Sequence, residues 1–329
     1  MISLIILEIL LRLLGLFKTY SEINFNTYQS PYSADHASYL YLAKPNDTMT
    51  VNQVEFEYTY YSNPLGLYED EDMEACDSLN KIIFLGDSFV FGVGAPQDSN
   101  LVAHLEKKLD IPIVNAGFPG SDPFFQSKLI DSIFGKRDCQ QFIFMVNFSD
   151  LYDYVFRGGF ERFKTNKKLE YRTEPKIEKF YKHSFLIRAI MHGILKYDFS
   201  LLPPSSASVL KKESVIAYNE LFKQLNEKYN IIVLIQPYPR QFDENSEILS
   251  EVLNYSYLEQ LHELLKQSDI PTINLNQGLS EHLNETNYLN YSWKLDGHFN
   301  AKGYSLLADI IANELTLNYP EFVNADTDE

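Results

Sequence analysis

The residues best suited to chemistry are a serine and a histidine that lie far apart in the sequence. Ser88 follows an apolar run in IIFLGDSFVFGVG, residues 82–94, and His298 comes two residues after Asp296 in WKLDGHFN, residues 293–300. A serine hydroxyl is a weak nucleophile that needs an imidazole to accept its proton. The imidazole in turn needs a carboxylate to fix its tautomer. Together the three residue types predict a Ser–His–Asp nucleophilic site.

Each half of this pattern also has a local explanation. Serine and aspartate are common at helix starts, where their side chains accept backbone N–H groups, so Asp87 and Ser88 could form a helix cap. His298 could likewise stand at the start of a helix, with Asp296 as a cap. The presence of both halves in one chain favours the catalytic interpretation.

The scaffold that must position these residues is predicted from the pattern after residue 81. Apolar runs of about five residues alternate there with segments of helical period. Such runs indicate a buried parallel sheet with helices on both faces. We predict an α/β fold, a three-layer α/β/α sandwich with a mostly parallel five-stranded sheet. The predicted strands are KIIFLG, IPIVNAG, QFIFMVN, IIVLIQP and PTINL, and the predicted helices lie near 97–109, 123–136, 209–228, 254–267 and 300–316.

Polar and glycine residues follow the predicted strands at the edge where such sheets bind ligands. Gly120 follows the second strand in VNAGFPGSDP, and Asn147 and Ser149 follow the third in MVNFSDLYD. We predict an oxyanion hole built from the backbone N–H groups of Ser88 and Gly120 and the side chain of Ser149, with Asn147 as the alternative side-chain donor. Each such donor contributes about 3 kcal/mol to the stability of a tetrahedral intermediate.

Three further side chains are candidates for contact with a polar substrate. They are Asp87 beside the serine, and Tyr238 and Arg240 after the fourth strand. A simple scaffold turn after the fourth strand is an equally open interpretation. The sequence has no metal-ligand spacing and no phosphate-binding loop, since GVGAPQD lacks the required lysine, so we expect no metal and no cofactor.

Length and charge restrict the architecture and the partners. The 329 residues are enough for one large domain with insertions. A formal charge of −17 repels nucleic acid backbones, so we expect no nucleic-acid partner. The insertion after the third strand is longer than an ordinary connection, and it is either a lid over the site or a structural helical pair. The predicted segments are an N-terminal anchor at 1–19, an extension or cap at 20–80, the sandwich domain at 81–320 with the insertion at 151–208, and an acidic tail at 321–329.

The N-terminal segment is almost entirely apolar. Residues 1–17, MISLIILEILLRLLGLF, contain only Glu8 and Arg12 as charged residues, four positions apart on one helical face where they can pair. As a helix the segment is about 25 Å long, near the lower limit for spanning a bilayer. We predict an uncleaved membrane anchor, with an amphipathic helix packed on its own domain or on a partner as the alternative. Cys76 and Cys139 fit either a disulfide or two inert thiols.

The order of these motifs resembles that of the GDSL/SGNH hydrolase superfamily, especially its membrane-anchored bacterial branch associated with cell-surface polysaccharides. The chain has GDSF, then N-x-G-x-x-G, then a polar loop after the third strand, then D-x-H-x-N-x-x-G before the last helix. The upstream NPLGLYEDED and the N-terminal helix with its Glu and Arg are also similar to that branch. The resemblance covers residues 50–155 and 290–318 and leaves the insertion unmatched.

The resemblance implies roles for the candidate residues. Ser88, Asp296 and His298 take the catalytic roles of the family, and Gly120 takes a place in the oxyanion hole. The implied activity is hydrolysis of O-acyl esters, in particular O-acetyl esters of carbohydrate, by an extracytoplasmic domain of a membrane-anchored bacterial protein. Two alternatives stay open: O-acetyl transfer to a surface glycan, and non-catalytic glycan binding on the same fold.

The chain departs from the family pattern at two places. The third block usually reads Gly-Asn-Asp, but here it reads Phe148-Ser149-Asp150, so Ser149 replaces the asparagine donor unless Asn147 substitutes for it. One residue separates Asp296 from His298, where many relatives have two. The first departure predicts a weakened oxyanion hole.

Overall fold

The computed structural model describes residues 2–15, 34–36, 40–68, 81–135, 139–157, 159–160, 177–197, 204–239, 242 and 255–323. The chain divides into two compact units. The larger unit comprises residues 31–151 and 215–329, and the smaller comprises residues 1–30 and 152–214.

The larger unit is built on a five-stranded sheet in which every pair of neighbours is parallel. Its strands are β5 to β9, in the order β6-β5-β7-β8-β9. Helices flank this sheet, so the predicted α/β sandwich and its five strands are confirmed. The described strands are β1 (Ala34–His36), β2 (Leu40–Leu42), β3 (Thr48–Asn52), β4 (Glu57–Tyr61), β5 (Ile82–Gly86), β6 (Ile113–Gly117), β7 (Gln141–Val146), β8 (Asn230–Ile235) and β9 (Thr272–Asn274).

The helices lie close to the segments of helical period. Two of them, α4 and α7, continue into π-helical turns at Ile130–Phe134 and Ile190–Ile194. The described helices are α1 (Ile2–Leu13), α2 (Ser88–Phe91), α3 (Leu101–Leu109), α4 (Pro123–Leu129), α5 (Phe148–Arg157), α6 (Glu178–Tyr181), α7 (Phe185–Ala189), α8 (Pro204–Asn226), α9 (Tyr255–Gln267), α10 (Asn276–Ser280), α11 (Ala301–Asn318) and α12 (Pro320–Val323).

The strands are apolar along their whole length because both faces of the sheet are covered. Every residue of β5 and β6 is buried. Phe84, Ile143 and Ile232 have no exposed surface and share a core with Leu307 and Ile311 of α11. Burial of this kind stabilises a fold by about 25 cal/mol for each Å² of apolar surface removed from water.

The strand order creates a crevice at the carboxyl end of β5. β6 lies on one side of β5 and β7 on the other. The connection from β5 to β6 therefore runs towards one edge of the sheet, and the connection from β6 to β7 runs back towards the other edge. In open α/β sheets, ligands bind at this point of reversal, outside the carboxyl ends of the strands. Ser88 is the second residue after β5 and therefore lies at this point.

A separate antiparallel hairpin of β3 and β4 lies upstream of the sheet, in the same unit. It is the alternating stretch TVNQVEFEYTYYSN that the sequence predicts as one or two strands. Tyr60 is fully buried, and its hydroxyl donates to the carbonyl oxygen of Ala95 at 3.2 Å. The backbone N–H of Tyr61 donates to Gln97 Oε1 at 2.9 Å. These bonds tie β4 to the segment that follows α2.

In the smaller unit, the start of α7 is capped by a residue from α1. Glu8 accepts hydrogen bonds from the Ser184 hydroxyl at 3.0 Å and from the N–H groups of Phe185 at 3.0 Å and Leu186 at 2.8 Å. The predicted pair with Arg12 forms at 3.0 Å. Burial raises the pKa of Glu8, but the bonds from Leu186, Arg12, Phe185 and Ser184 outweigh it and lower the pKa to about 2.

Most of the leucine and isoleucine side chains of α1 are exposed, from 41% for Leu7 to 79% for Leu13. Among the described residues, no helix is both long and apolar enough to cross a membrane. The predicted anchor extends beyond residues 2–15 and stays a prediction. The lid also stays a prediction, because 158, 161–176 and 198–203 lie outside the described residues, as do residues 324–329 of the predicted tail.

Cys139 is disulfide-bonded. The chain has only two cysteines, and the other, Cys76, lies outside the described residues. Of the two interpretations that the sequence leaves open, the structure therefore has the disulfide.

Candidate active site

The serine lies in a tight turn between a strand and a short helix. Asp87 precedes α2, and its Oδ1 accepts the backbone N–H of Phe89 at 3.0 Å, which is the cap expected from local sequence. As the first residue of α2, Ser88 has no intrahelical acceptor for its own N–H. The helix stops after one turn at Gly92, whose φ of 95° is left-handed. The local cap and the proposed nucleophile therefore occur together.

The imidazole of His298 is held at both ring nitrogens. Its Nε2 lies 2.7 Å from Ser88 Oγ, and its Nδ1 lies 2.5 Å from Asp296 Oδ1. The Phe89 ring packs against it, with ring centroids 4.8 Å apart. With the Nδ1 hydrogen donated to Asp296, the Nε2 lone pair faces the serine hydroxyl. The structure thus brings the three predicted residues into one hydrogen-bonded chain.

A narrow turn carries the aspartate and the histidine. The N–H of Trp293 donates to the carbonyl oxygen of His298 at 2.9 Å, and that of Gly297 donates to Trp293 at 3.0 Å. Gly297 has a φ of 89°, a conformation that glycine adopts without steric cost. This turn lets Asp296 reach the ring of His298 with a single residue between them.

The same turn is joined to the serine segment through Trp293. The indole Nε1 of Trp293 donates to the carbonyl oxygen of Gly94 at 2.7 Å. Gly94 has a φ of 94°, and a Cβ there would lie 2.8 Å from the indole and 2.7 Å from the carbonyl oxygen of Phe299. Only glycine allows this close approach, which positions the histidine turn against the segment following α2.

Asp87 joins the serine turn to the loop after β7. Its Oδ2 accepts from Asn147 Nδ2 at 2.9 Å and lies 3.1 Å from Ser149 Oγ. Ser149 Oγ is also 2.7 Å from Asn147 Oδ1, and a hydroxyl can donate its one hydrogen to only one of these two acceptors. Asp87, a predicted substrate contact, is only 3% exposed, and its described bonds are structural.

The two candidate side-chain donors differ in burial. Asn147 has no exposed surface, whereas Ser149 is half-buried. The described bonds of both side chains go to Asp87 and to each other, and Asn147 Oδ1 also accepts the backbone N–H of Ser149 at 2.8 Å. None of these bonds reaches Ser88. Whether Ser149 or Asn147 serves the oxyanion hole therefore stays a prediction.

The loop after β6 contains the predicted backbone donor, Gly120. Two bonds tie this loop to the last residue of β5: the Phe118 N–H donates to the Gly86 carbonyl oxygen at 3.0 Å, and the Ser121 hydroxyl donates to it at 2.8 Å. Gly120 itself has a left-handed φ of 74°. The loop with Gly120 is thus held next to the turn that carries Ser88.

Three aromatic side chains form a cluster beside the histidine, and two of them, Phe89 and Phe148, were not singled out from the sequence. Phe89 is fully buried, and Tyr238 contacts its ring at 4.9 Å and the ring of Phe148 at 4.4 Å. Phe89 follows β5, Tyr238 follows β8 and Phe148 follows β7. Their position just after a strand of the sheet is the sequence signal that could have placed them at the site. Tyr238, a predicted substrate contact, is half-buried here, and Arg240 lies outside the described residues.

The carboxylates influence a buried tyrosine beneath the site. Burial raises the pKa of Tyr304 well above its ordinary value, and Tyr60, Asp87 and Asp296 raise it further. The hydroxyl therefore stays protonated and donates to the carbonyl oxygen of Val93 at 2.8 Å.

In the described part of the chain, no group of three or more His, Cys, Asp or Glu residues could hold a metal ion.

No protein-family model and no curated protein sequence matches this chain. Solved structures similar to it include a member of the lipolytic protein G-D-S-L family from Veillonella parvula, with 16% identity over 72% of this chain and 98% of that one and a TM-score of 0.40. The lipase/acylhydrolase from Enterococcus faecalis shares 13% identity over 72% and 95%, with a TM-score of 0.41. An acetylxylan esterase from Geobacillus stearothermophilus shares 14% over 72% and 94%, with a TM-score of 0.42. At these identities the function has to be argued from the residues of the site.

Proposed function

We propose that this protein is a serine esterase that hydrolyses O-acyl esters, in particular O-acetyl esters of carbohydrate, through an acyl-serine intermediate. The observation that supports it most is the hydrogen-bonded chain from Ser88 Oγ through His298 to Asp296, with distances of 2.7 Å and 2.5 Å. A serine within hydrogen-bond reach of a base that is itself oriented by a carboxylate is the arrangement of an activated nucleophile.

In the first half of the reaction, Ser88 Oγ bonds to the ester carbonyl carbon while its proton moves to His298 Nε2. Asp296 stabilises the imidazolium that forms. The carbonyl oxygen becomes an oxyanion, which the N–H groups of Ser88 and Gly120 would bind. Ser149 would be a third donor once its hydroxyl turns away from both Asn147 and Asp87. The adduct then breaks its bond to the alcohol oxygen, which takes the proton from His298.

In the second half, water attacks the acyl-serine. His298 accepts a proton from the water as the water oxygen bonds to the acyl carbon. The new tetrahedral adduct then breaks its bond to Ser88 Oγ, which takes the proton back from His298 as the acid is released. If a sugar hydroxyl takes the place of water, the same intermediate gives acyl transfer. The choice between the two outcomes depends on which acceptor enters the site.

The aromatic side chains beside the imidazole suit a small acyl group. Phe148 and Tyr238 are half-buried and present apolar surface next to Phe89, which packs on His298. Apolar and aromatic walls with a few fixed polar groups are typical of small-molecule sites. The preference for an acetylated carbohydrate rests on the motif resemblance.

We further propose that the N-terminal segment, residues 1–19, attaches the protein to a membrane and that the larger unit acts outside the cytoplasm. The exposed leucine and isoleucine side chains of α1 support the attachment, since they place apolar surface in water. The disulfide at Cys139 supports an oxidising compartment. Fractionation of cells that express the full chain tests this proposal, and recovery of the protein only in the soluble fraction contradicts it.

The test of the activity uses the purified full chain with 4-nitrophenyl acetate and a fluorophosphonate probe, which labels activated serines. Ser88→Ala should lose turnover by several orders of magnitude and lose labelling. Ser99→Ala should keep both, because Ser99 is a half-buried serine on a short turn whose described side-chain bond goes to Asp98. Acetylated oligosaccharides and acceptor sugars then show whether acetate is released or transferred. A folded wild-type chain that neither turns over esters nor labels at Ser88 would overturn the proposal and favour a glycan-binding protein.

A further inference from the structure

The hairpin of β3 and β4 places a carboxylate against the turn that carries the aspartate and the histidine. Glu55 lies between the two strands, and its Oε1 accepts the N–H of Lys294 at 3.0 Å. Its Oε2 accepts the N–H groups of Leu295 at 2.7 Å and Asp296 at 2.9 Å. One side chain therefore binds three consecutive backbone N–H groups, and the last of them belongs to Asp296.

We infer that Glu55 is a positioning residue for the Asp296–His298 pair, an inference that rests on the proposed function. Consecutive N–H groups that converge on one point form an anion-binding concavity, and bonds from N–H groups to a carboxylate are stronger than bonds between neutral groups. Because Glu55 holds the backbone of Asp296, it sets where the carboxylate of Asp296 meets His298 Nδ1.

The hairpin is fixed by contacts on both sides of the site. Phe56, next to Glu55, is buried and contacts the ring of Trp293 with centroids 5.5 Å apart. Trp293 donates in turn to the carbonyl oxygen of Gly94 on the serine side of the crevice. Tyr60 of β4 bonds to Ala95 in that same segment. The hairpin thus contacts both halves of the site, the histidine turn and the segment after α2.

The described hydrogen bonds of Glu55 go to backbone N–H groups and not to Ser88 or His298. A substitution should therefore change the rate of the chemical step and leave substrate affinity nearly unchanged. A displacement of about 1 Å in a catalytic group costs about 10²-fold in rate, which sets the expected loss for Glu55→Ala. Glu55→Gln keeps the shape but replaces one acceptor oxygen with a donor, so an intermediate loss is expected.

The experiment compares the full chain with Glu55→Ala, Glu55→Gln and the control Glu57→Gln. Glu57 is an exposed carboxylate on the same hairpin, and its described partner is Asn52 on the neighbouring strand. Glu57→Gln therefore removes one negative charge from the hairpin, as Glu55→Gln does, but leaves the bonds to the histidine turn intact. We measure kcat and KM with 4-nitrophenyl acetate, the thermal midpoint, and the low-field proton NMR signal of the His298 Nδ1 hydrogen, which a short bond to a carboxylate moves strongly downfield.

We expect the largest fall in kcat in Glu55→Ala, a smaller fall in Glu55→Gln and almost none in the control Glu57→Gln. KM should stay within about twofold of the wild type in all three variants. The NMR signal should be lost or shifted only in the two Glu55 variants. Wild-type kcat in both Glu55 variants, with or without a change in thermal midpoint, overturns the inference. If Glu55→Ala does not fold, Glu55→Gln decides by the same readouts. If the wild type is inactive and unlabelled at Ser88, the proposed function fails, while the NMR comparison still decides whether Glu55 orients the pair.

Discussion

At the scale of single residues, Asp87 is the junction between the serine and the loop after β7. Its Oδ1 caps α2, and its Oδ2 accepts a hydrogen bond from the side chain of Asn147 and lies within hydrogen-bond distance of the Ser149 hydroxyl. Ser149 stands where the motif resemblance leads one to expect an asparagine donor, and the nearest asparagine, Asn147, is buried and bound to Asp87. We therefore predict that Ser149 serves the chemistry and Asn147 the structure of this loop, and separate substitutions test the two roles.

The first prediction concerns these two side chains. Ser149→Ala should lower kcat by up to about 10²-fold with little change in stability, because it removes an oxyanion donor from a half-buried position. Asn147→Ala should instead lower the free energy of unfolding by about 1–3 kcal/mol, because it leaves buried partners unsatisfied. Turnover and urea unfolding of both variants measure the two effects. Unchanged turnover in Ser149→Ala would mean that the hole consists of backbone N–H groups alone.

At the scale of elements, the smaller unit shows how a charged residue in an apolar helix is used. Glu8 on α1 satisfies the first N–H groups of α7, which have no intrahelical acceptor. A carboxylate is also favourable at this end of a helix. The sequence places Glu8 and Arg12 on one face of an apolar segment. In the structure, this pair belongs to the cap of α7, a helix far from α1 in the chain.

The prediction for this element is a pH-dependent loss of stability in Glu8→Gln. The pKa of Glu8 is lowered to about 2 in the folded protein from its ordinary value of 4.5. The stabilisation by Glu8 is therefore fully present above about pH 4.5 and is lost as the pH falls towards 2. Amide hydrogen exchange at Phe185 and Leu186 should be faster in the variant at pH 7.

The control for this comparison is Glu213→Gln, an exposed carboxylate on α8 in the same unit. Its exchange rates at those two amides should equal those of the wild type. Thermal unfolding gives the second measure: the difference in midpoint between wild type and Glu8→Gln should narrow from pH 5 to pH 2. A difference that stays constant over this range would show that the cap does not depend on the charge of Glu8.

At the scale of the whole molecule, the described residues of the proposed site all belong to the larger unit. Ser88, Gly120, Ser149, Asp296 and His298 lie within 31–151 and 215–329. The exposed apolar helix α1 and the helix α7 that its Glu8 caps belong to the smaller unit. Membrane attachment and ester hydrolysis are therefore separable in the proposal.

The matching prediction is that a chain without residues 1–19 keeps kcat within about twofold of the full chain and no longer binds lipid vesicles. Because the truncation also removes Glu8, hydrogen exchange at Phe185 and Leu186 should become faster. Vesicle flotation, turnover of 4-nitrophenyl acetate and hydrogen exchange measure the three effects. Loss of turnover in a folded truncated chain would show that the smaller unit contributes to the site.

The sequence was sufficient to predict the sheet, the helices and the three residues, Ser88, His298 and Asp296, that the fold brings into one hydrogen-bonded chain. Strands buried on both faces are continuously apolar, so runs such as IIFLG and FIFMV are visible without any knowledge of their neighbours. The carboxyl ends of parallel strands meet at one edge, so residues that follow those strands are expected to meet as well. Ser88, Asp296 and His298 could be chosen because their chemistry restricts their types and their spacing.

Contacts between distant segments were decided only in the tertiary structure. Periodicity indicates which face of a segment is buried but not which other segment covers it. No local pattern distinguishes Glu55, which binds the Asp296 turn, from the exposed Glu57 two residues later. In the same way, strand register does not show that Asn147 turns its amide to Asp87, or that Glu8 caps a helix near residue 185. These bonds form because buried N–H groups need acceptors, and the folded chain decides which acceptors are within reach.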